Sequence, residues 1–186
     1  MTEAKVRDLV LASHNPGKLA EAQRIVGGEL AAVSLELPEI QSLDLLAVLR
    51  AKADFAWREL RRPLVVEETG LYLDALAGFP GPLVKWMLAA VGAEGIARTA
   101  LALGDPGVEA RCALLWRDGE RELLATGATR GHLVLPGRGP RGFGWDPVFR
   151  PEGEARTYGE LTDAEKDACG HRGRAWRALL AGFGEG

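Results

Sequence analysis

Apolar positions along the chain fall either in short continuous runs or in helical stripes, and that alternation predicts the elements. Residues 8–13 read as a short buried strand, closed by the turn Asn15-Pro16-Gly17. A helix follows to about Val26, with Leu19, Ala22 and Val26 on its apolar face and Pro16 suited to its first turn. Residues 32–36 form a second candidate strand. From 44 to 60, Leu45, Val48, Leu49, Ala53, Ala56, Trp57 and Leu60 mark a strongly amphipathic helix. Residues 63–67 form a continuous apolar strand ending in acids, and 71–76 a separate short one. After a Gly/Pro loop at 78–82 come one or two helices reaching about Leu103. Residues 108–116 and 120–129 pair as a hairpin around Asp118-Gly119. A loop rich in Gly, Pro and Arg spans 136–144. The last helix starts near Asp163, where Thr162 and Glu165 make a capping-box pattern. No repeat, low-complexity tract or long linker divides the 186 residues. The expectation is one α/β domain, 1–186, with a mixed sheet.

Charge narrows the function. The net charge of −3 argues against a broad basic face for nucleic acid, so any useful positive charge must be concentrated in one cleft. Arginine is the default cation, at 18 against 5 lysines. A lysine kept against that bias is one whose compact point charge the wide guanidinium fork does not replace. Lys5 falls in the N-terminal tail, but Lys18, Lys52, Lys85 and Lys166 each sit in a segment with other marks of function. Cys112 and Cys169 lack metal-ligand spacing and read as free thiols of a reducing compartment. The apolar run at 9–12 is too short for a signal peptide or a membrane span, so a cytoplasmic protein is expected.

Five segments carry candidate chemistry. Ser13-His14-Asn15-Pro16-Gly17-Lys18 passes from a strand into a helix, where free N–H groups and the helix dipole attract anions. It is not a Walker A loop, and an ordinary capped helix with a surface lysine is the plainer alternative. Lys52 lies seven residues after Leu45, near the middle of an apolar stripe, so it must snorkel or meet an anion. Glu67 and Glu68 follow a buried strand, and adjacent strand residues point to opposite sides, so at most one faces a given cleft. With Glu39 they offer hard oxygen ligands suited to Mg2+, although each singly reads as a surface charge. Phe143-Gly144-Trp145-Asp146 sets aromatics beside a carboxylate, fit to stack on a base and accept its ring N–H, or simply to anchor a loop. Lys166, His171 and Arg172 follow near the C-terminus. On a regular helix His171 would turn away from Lys166, but Gly170 and Gly173 loosen that segment. His14, His132 and His171 do not pair at zinc spacings, and no serine-hydrolase elbow is present.

Taken in order, these pieces resemble the inosine/xanthosine triphosphate pyrophosphatase family, over nearly the whole chain. The most specific are the Ser13/Asn15/Lys18 turn, Gly-Phe-Pro-Gly-Pro-Leu-Val-Lys-Trp at 78–86, Phe-Gly-Trp-Asp-Pro-Val-Phe from Phe143, and Glu165-Lys166 followed by His171-Arg172. The resemblance implies an elongated two-lobed α/β structure, with a central mixed sheet flanked by helices and an active-site cleft between the lobes. It implies a homodimer that cleaves inosine, deoxyinosine or xanthosine triphosphate to the monophosphate and pyrophosphate. It also implies roles. Ser13, Asn15, Lys18 and Lys52 hold the triphosphate, and Glu39 and Glu68 bind Mg2+. Phe143, Trp145 and Asp146 hold the base, with Lys166, His171 and Arg172 completing the site. Lys85 is a weaker assignment. Catalysis is implied for Glu68, which would orient or deprotonate a water for attack at the α-phosphorus, helped by Lys18 and Lys52. The chain departs from the pattern at three positions: Glu68 where an aspartate is usual, Asp167 for an asparagine, and Gly170 for a serine. Two rival readings follow, a nucleotide-binding protein impaired in catalysis and a pyrophosphatase for another modified nucleotide.

Overall fold

The computed structural model describes residues 9–28 and 30–184. Lys5, and Asp8 of the first expected strand, lie outside them. Among the described residues seven strands form one open, mixed sheet: β1 (Val10–Ala12), β2 (Ala31–Val33), β3 (Leu64–Leu73), β4 (Pro80–Gly81), β5 (Gly107–Asp118), β6 (Arg121–Leu133) and β7 (Phe149–Pro151). Their order is β2-β1-β3-β5-β6-β7, with β4 paired separately to β3. β1 runs parallel to β2 and β3, and the remaining pairs are antiparallel.

Two strand expectations change. The segments at 63–67 and 71–76 join in one ten-residue strand, Leu64–Leu73, which puts the acids in its middle rather than at its end, and Asp74–Leu76 is a 3-10 turn instead of strand. Gly70 is not a break. A Cβ there would stand 2.8 Å from the Tyr72 ring and 2.9 Å from the Gly81 backbone, so glycine admits β4 against β3. β2 is three residues long and mostly exposed, because it lies at the sheet edge. The hairpin is longer than the pattern indicated. Asp118 pairs with Arg121, which puts the two-residue turn at Gly119-Glu120, one place beyond its expected position.

Five α-helices among the described residues flank the sheet: α1 (Pro16–Val26), α2 (Leu45–Leu60), α3 (Val84–Ala102), α4 (Asp163–Cys169) and α5 (His171–Gly182). Asn15 and Asp44 accept backbone N–H groups as the N-caps of α1 and α2. α3 is two helical segments joined at Gly92, whose φ of 69° no helix accommodates. The single last helix expected from Asp163 is α4 and α5, parted at Gly170 by extended backbone.

The long strands β3 and β5 run through two lobes. In one, Leu71, Leu73, Val108 and Ala110 pack with α3 (Ile96, Ala97, Ala100) and with Val148, Phe149 and Tyr158. In the other, α1 and α5 bury Ala22, Ala175, Trp176 and Leu179 on one face of the sheet, and α2 buries Leu49, Ala53 and Ala56 on the other.

Seating α5 depends on a glycine of β6. A Cβ on Gly127 would lie 2.3 Å from the carbonyl oxygen of His171 and 2.4 Å from the backbone nitrogen of Ala175. Backbone atoms cannot swing aside as a side chain can. Gly127→Ala is therefore expected to destabilise the fold by ~1–3 kcal/mol, the usual cost of overpacking, read as a lower denaturant midpoint with unchanged m.

Candidate active site

β1 stops at Ala12 and pairs with β3 only through Leu11 and Val65. Between that pair and β4, which joins the same edge at Leu71 and Tyr72, β3 has no strand neighbour on the β1 side among the described residues, while β5 covers the other side throughout. A cleft of about 340 Å³ opens there, a size usual for small-ligand sites. It lies at the carboxyl end of a parallel strand, where open α/β sheets bind ligands. Because it faces a strand edge and not a sheet face, both Glu67 and Glu68 line it. Strand alternation admits only one of two adjacent acids to a cleft over a sheet face, and this cleft lies over an edge.

Ser13, His14, Asn15 and Lys18 form one wall. The Ser13 hydroxyl accepts the Asn15 N–H at 3.2 Å, and the Asn15 side-chain oxygen accepts the Lys18 N–H at 3.1 Å. Part of the donor capacity expected for an anion is thus spent in capping α1. The Lys18 ammonium still reaches the cleft, 3.5 Å from a Glu67 oxygen.

Lys52 does meet an anion. It is buried and ion-paired to Glu68, and its ammonium lies 3.4 Å from Glu39. Lys85 takes the other Glu39 oxygen at 2.9 Å. Burial pushes the Glu39 carboxyl up, but Lys85 and Lys52 outweigh it and hold it below the usual range. The second Glu68 oxygen accepts the Thr69 N–H at 3.1 Å. One ammonium therefore touches both carboxylates, so Glu39 and Glu68 converge on a single cation. No three or more His, Cys, Asp or Glu side chains among the described residues form a fuller ligand set. Two hard carboxylates with room for water and phosphate oxygens are what Mg2+ accepts, so the expected ligand pair fits that ion.

Behind this wall lies a charge network with one member the sequence reading missed. Glu21 of α1 is buried and ion-paired to both Lys166 and Arg172. Arg172 also donates from Nε to Glu67 at 3.0 and 3.2 Å. Burial alone would raise the Glu21 carboxyl, yet Arg172 and Lys166 hold it below its ordinary value. Burial likewise works against the Arg172 cation, and Glu67 and Glu21 more than restore it. The signal for Glu21 was available, since it lies three residues after Lys18 and so shares its helical face.

The aromatic end comprises Phe143, Trp145 and His171. Asp146 is buried, and one of its oxygens accepts the Phe143 N–H at 2.7 Å and the Lys166 ammonium at 2.6 Å. Burial raises its carboxyl despite that lysine. Asp146 thus shapes the loop as well as facing the cleft. Lys166 does not line the cleft but stands behind it, its ammonium 5.0 Å from the Phe143 ring centre. The break at Gly170 brings His171 back toward Lys166, so that its ring stands 6.1 Å from Trp145 and 6.2 Å from Tyr158. Both His171 nitrogens and the Trp145 indole nitrogen are buried without a protein partner among the described residues. Buried polar atoms rarely go unpaired, so these three are available to a ligand. Of the departures from the family pattern, Asp167 faces away and binds Arg24 at 2.8 Å. Gly170 permits a tight break, since a Cβ there would lie 2.6 Å from the Lys166 carbonyl oxygen.

An open mixed sheet, with a cleft at the β1 terminus joining paired carboxylates and lysines to an aromatic pocket, defines the class as an α/β protein built around a small-ligand site. The chain belongs to the Ham1 family, which residues 9–182 match. It is 36% identical over 174 residues to the dITP/XTP pyrophosphatase of Pyrobaculum aerophilum, covering 92% of this chain and 93% of the relative. A HAM1 protein from Coxiella burnetii superposes with a TM-score of 0.82 at 26% identity, over 96% of this chain and 98% of that one. A nucleoside-triphosphatase / dITP/XTP pyrophosphatase from Mycobacterium abscessus superposes with a TM-score of 0.68 at 31% identity, over 92% and 98%.

His171 gives the site a pH signature. Burial, then the charges of Arg172, Lys166 and Lys18, hold its imidazole well below the ordinary 6.5. Below that pH the unfolded chain takes up a proton that the folded chain refuses, so stability falls as pH falls. The expected slope is at most about 1.4 kcal/mol per pH unit. Unfolding midpoints between pH 7.5 and 5.5 should fall more steeply for the wild type than for His171→Gln. Equal slopes would show that His171 takes up its proton in the folded state.

Proposed function

We propose that this protein hydrolyses non-canonical purine nucleoside triphosphates, such as the inosine and xanthosine forms, to the monophosphate and pyrophosphate. The observation that carries the reading is the division of one cleft. Lys18, Lys52, Glu39 and Glu68 gather at one end, and Phe143, Trp145 and a neutral His171 at the other. That is the layout of a triphosphate joined to a base. The family, and the pyrophosphatase relative at 36% identity, support it.

Charge supports a metal requirement. The cleft wall carries Lys18, Lys52, Lys85 and Arg172 against Glu39, Glu67, Glu68 and Asp146, four of each sign. A polyanion entering a balanced site needs added positive charge. Glu39 and Glu68 would hold Mg2+, which when bound neutralises phosphate oxygens and lowers the pKa of water. Lys52, freed from those acids, would turn to the phosphates with Lys18. Ser13 and Asn15 would present their polar groups beside it. Glu68 would orient the attacking water toward the α-phosphorus for in-line displacement.

At the other end, Trp145 and Phe143 would flank the base. The neutral His171 has one ring N–H to donate, and Arg172 lies beside it. A 6-oxo purine accepts such a donor, whereas the adenine amine presents another donor. A polar mismatch of this kind discriminates by up to ~10⁴-fold. Lys166 would act from behind, by holding Asp146. The same reading takes residues 1–186 as one pyrophosphatase domain that works in the cytoplasm as a homodimer. No helix among the described residues is long and apolar enough to cross a membrane.

Two outcomes test this. With Mg2+ and inosine triphosphate, monophosphate and pyrophosphate are expected in equal amounts by chromatography, and stepwise orthophosphate release would overturn the reading. Tight binding without turnover would instead favour an impaired enzyme. In the second test, Glu68→Gln is expected to abolish nearly all turnover, while Glu68→Asp keeps measurable activity. A carboxylate oxygen misplaced by ~1 Å costs about 10²-fold rather than everything. Wild-type rates from Glu68→Gln would move the catalytic role to Glu67.

A further inference from the structure

Gly17 stands at the second position of α1, in helical backbone that any L-residue adopts. Glycine there is not a conformational requirement, and alanine would favour the helix. The reason for glycine is steric. A Cβ on Gly17 would lie 2.9 Å from Cδ1 and 3.0 Å from Cε1 of Phe143, closer than carbon atoms pack. It would also stand 3.3 Å from the Asn15 oxygen that caps the helix.

Phe143 cannot simply move its backbone away. Its N–H is held by the Asp146 carboxylate at 2.7 Å, and Asp146 is in turn held by Lys166. The ring is bounded on other sides too. The Lys166 ammonium lies 5.0 Å from the ring centre and the Arg172 guanidinium 5.5 Å from it, both cation–π distances. The direction left is outward, since Phe143 is 37% exposed. A methyl group on Gly17 would turn the ring off its cations and toward the cleft mouth.

We propose that Gly17 is a positioning residue of the nucleotide site: the absence of a side chain there lets the Phe143 ring settle against the triphosphate turn and fixes the wall on which the base stacks. This deepens the nucleotide reading above and rests on it. The residue does no chemistry and acts through Phe143.

The test is a double-mutant cycle on Gly17→Ala and Phe143→Ala, measured with Mg2+ and inosine triphosphate. A stacking wall serves ground state and transition state alike, so its displacement raises KM and spares kcat. Gly17→Ala is expected to raise KM ~10-fold, within the range known for lost base stacking, with kcat changed less than about twofold. Its melting temperature should fall only slightly, because a side chain and not the backbone gives way and alanine suits the helix. In the Phe143→Ala background the same substitution should leave KM unchanged, since the ring it displaces is gone. Inhibition by inorganic tripolyphosphate, which has no base, should be the same in Gly17→Ala and wild type. Additive effects of the two substitutions, or an unchanged KM for Gly17→Ala, would overturn the proposal. So would an equal loss of tripolyphosphate affinity, which would place the effect in the Asn15 cap. Failure of the nucleotide reading shows separately, as absent turnover in the wild-type protein before any variant is made.

Discussion

The structure depends on keeping ionised groups out of water without leaving any of them alone. Glu21, Glu67 and Asp146 are each under a tenth exposed, and so are Lys166 and Arg172. Isolated, any of these charges would cost several kcal/mol to bury. They are tolerable because they alternate: Asp146 to Lys166, Lys166 to Glu21, Glu21 to Arg172, Arg172 to Glu67, and Glu67 on to Lys18. Removing one member of such a chain strands its neighbours, which costs more than the pair contributes. The network therefore fixes the relative places of α1, β3, the aromatic loop, α4 and α5. α1, β3, the aromatic loop and α5 contribute walls of the cleft, and α4 backs them.

The sheet creates the opening that the network furnishes. A short parallel strand beside a long one leaves part of the long strand's edge uncovered. Residues from both faces of β3 then reach one space, Glu67 toward α5 and Glu68 toward α2. The carboxylate proposed for catalysis and the network carboxylate are thus chain neighbours with different partners. Two close-packed glycines make the geometry possible at a distance. Gly70 admits β4 to β3, and Gly127 lets α5 approach β6.

Much of this was legible in the sequence. α1 and α2 were marked by their apolar stripes, and the need of Lys52 for an anion followed from its place among apolar residues. The site motifs were legible as segments, and the structure gathers most of them at one cleft. Less legible were features decided by contacts between distant segments. Residues 68–70 looked like a gap between two strands because a lone glycine, Gly70, carries no sign of the segment that will press against it. The single last helix looked continuous because extended backbone at Gly170 is selected by the fit of Lys166 and His171 to the pocket. Lys166 looked like a ligand contact, and only packing shows Asp146 and Phe143 standing in front of it. Glu21 was passed over because an acid on an amphipathic helix is usually solvated, and its two cations lie far along the chain.

That distance has a consequence for the order of assembly. Glu21 and Arg172 are 151 residues apart, and Glu67 and Arg172 are 105 apart. During synthesis the strands of the sheet emerge well before α5 does. Until then the acids of α1 and β3 lack their main counter-charges, and the face that α5 covers is still wet. Contacts of such long sequence separation close late, after the loop entropy between them has been overcome. A nascent chain can accordingly hold a partly formed sheet, but its cleft becomes a defined pocket only when α5 docks. Ligand competence then arrives in one cooperative step, and a chain stopped before Arg172 would present a negatively charged, hydrated groove that repels nucleotide phosphates.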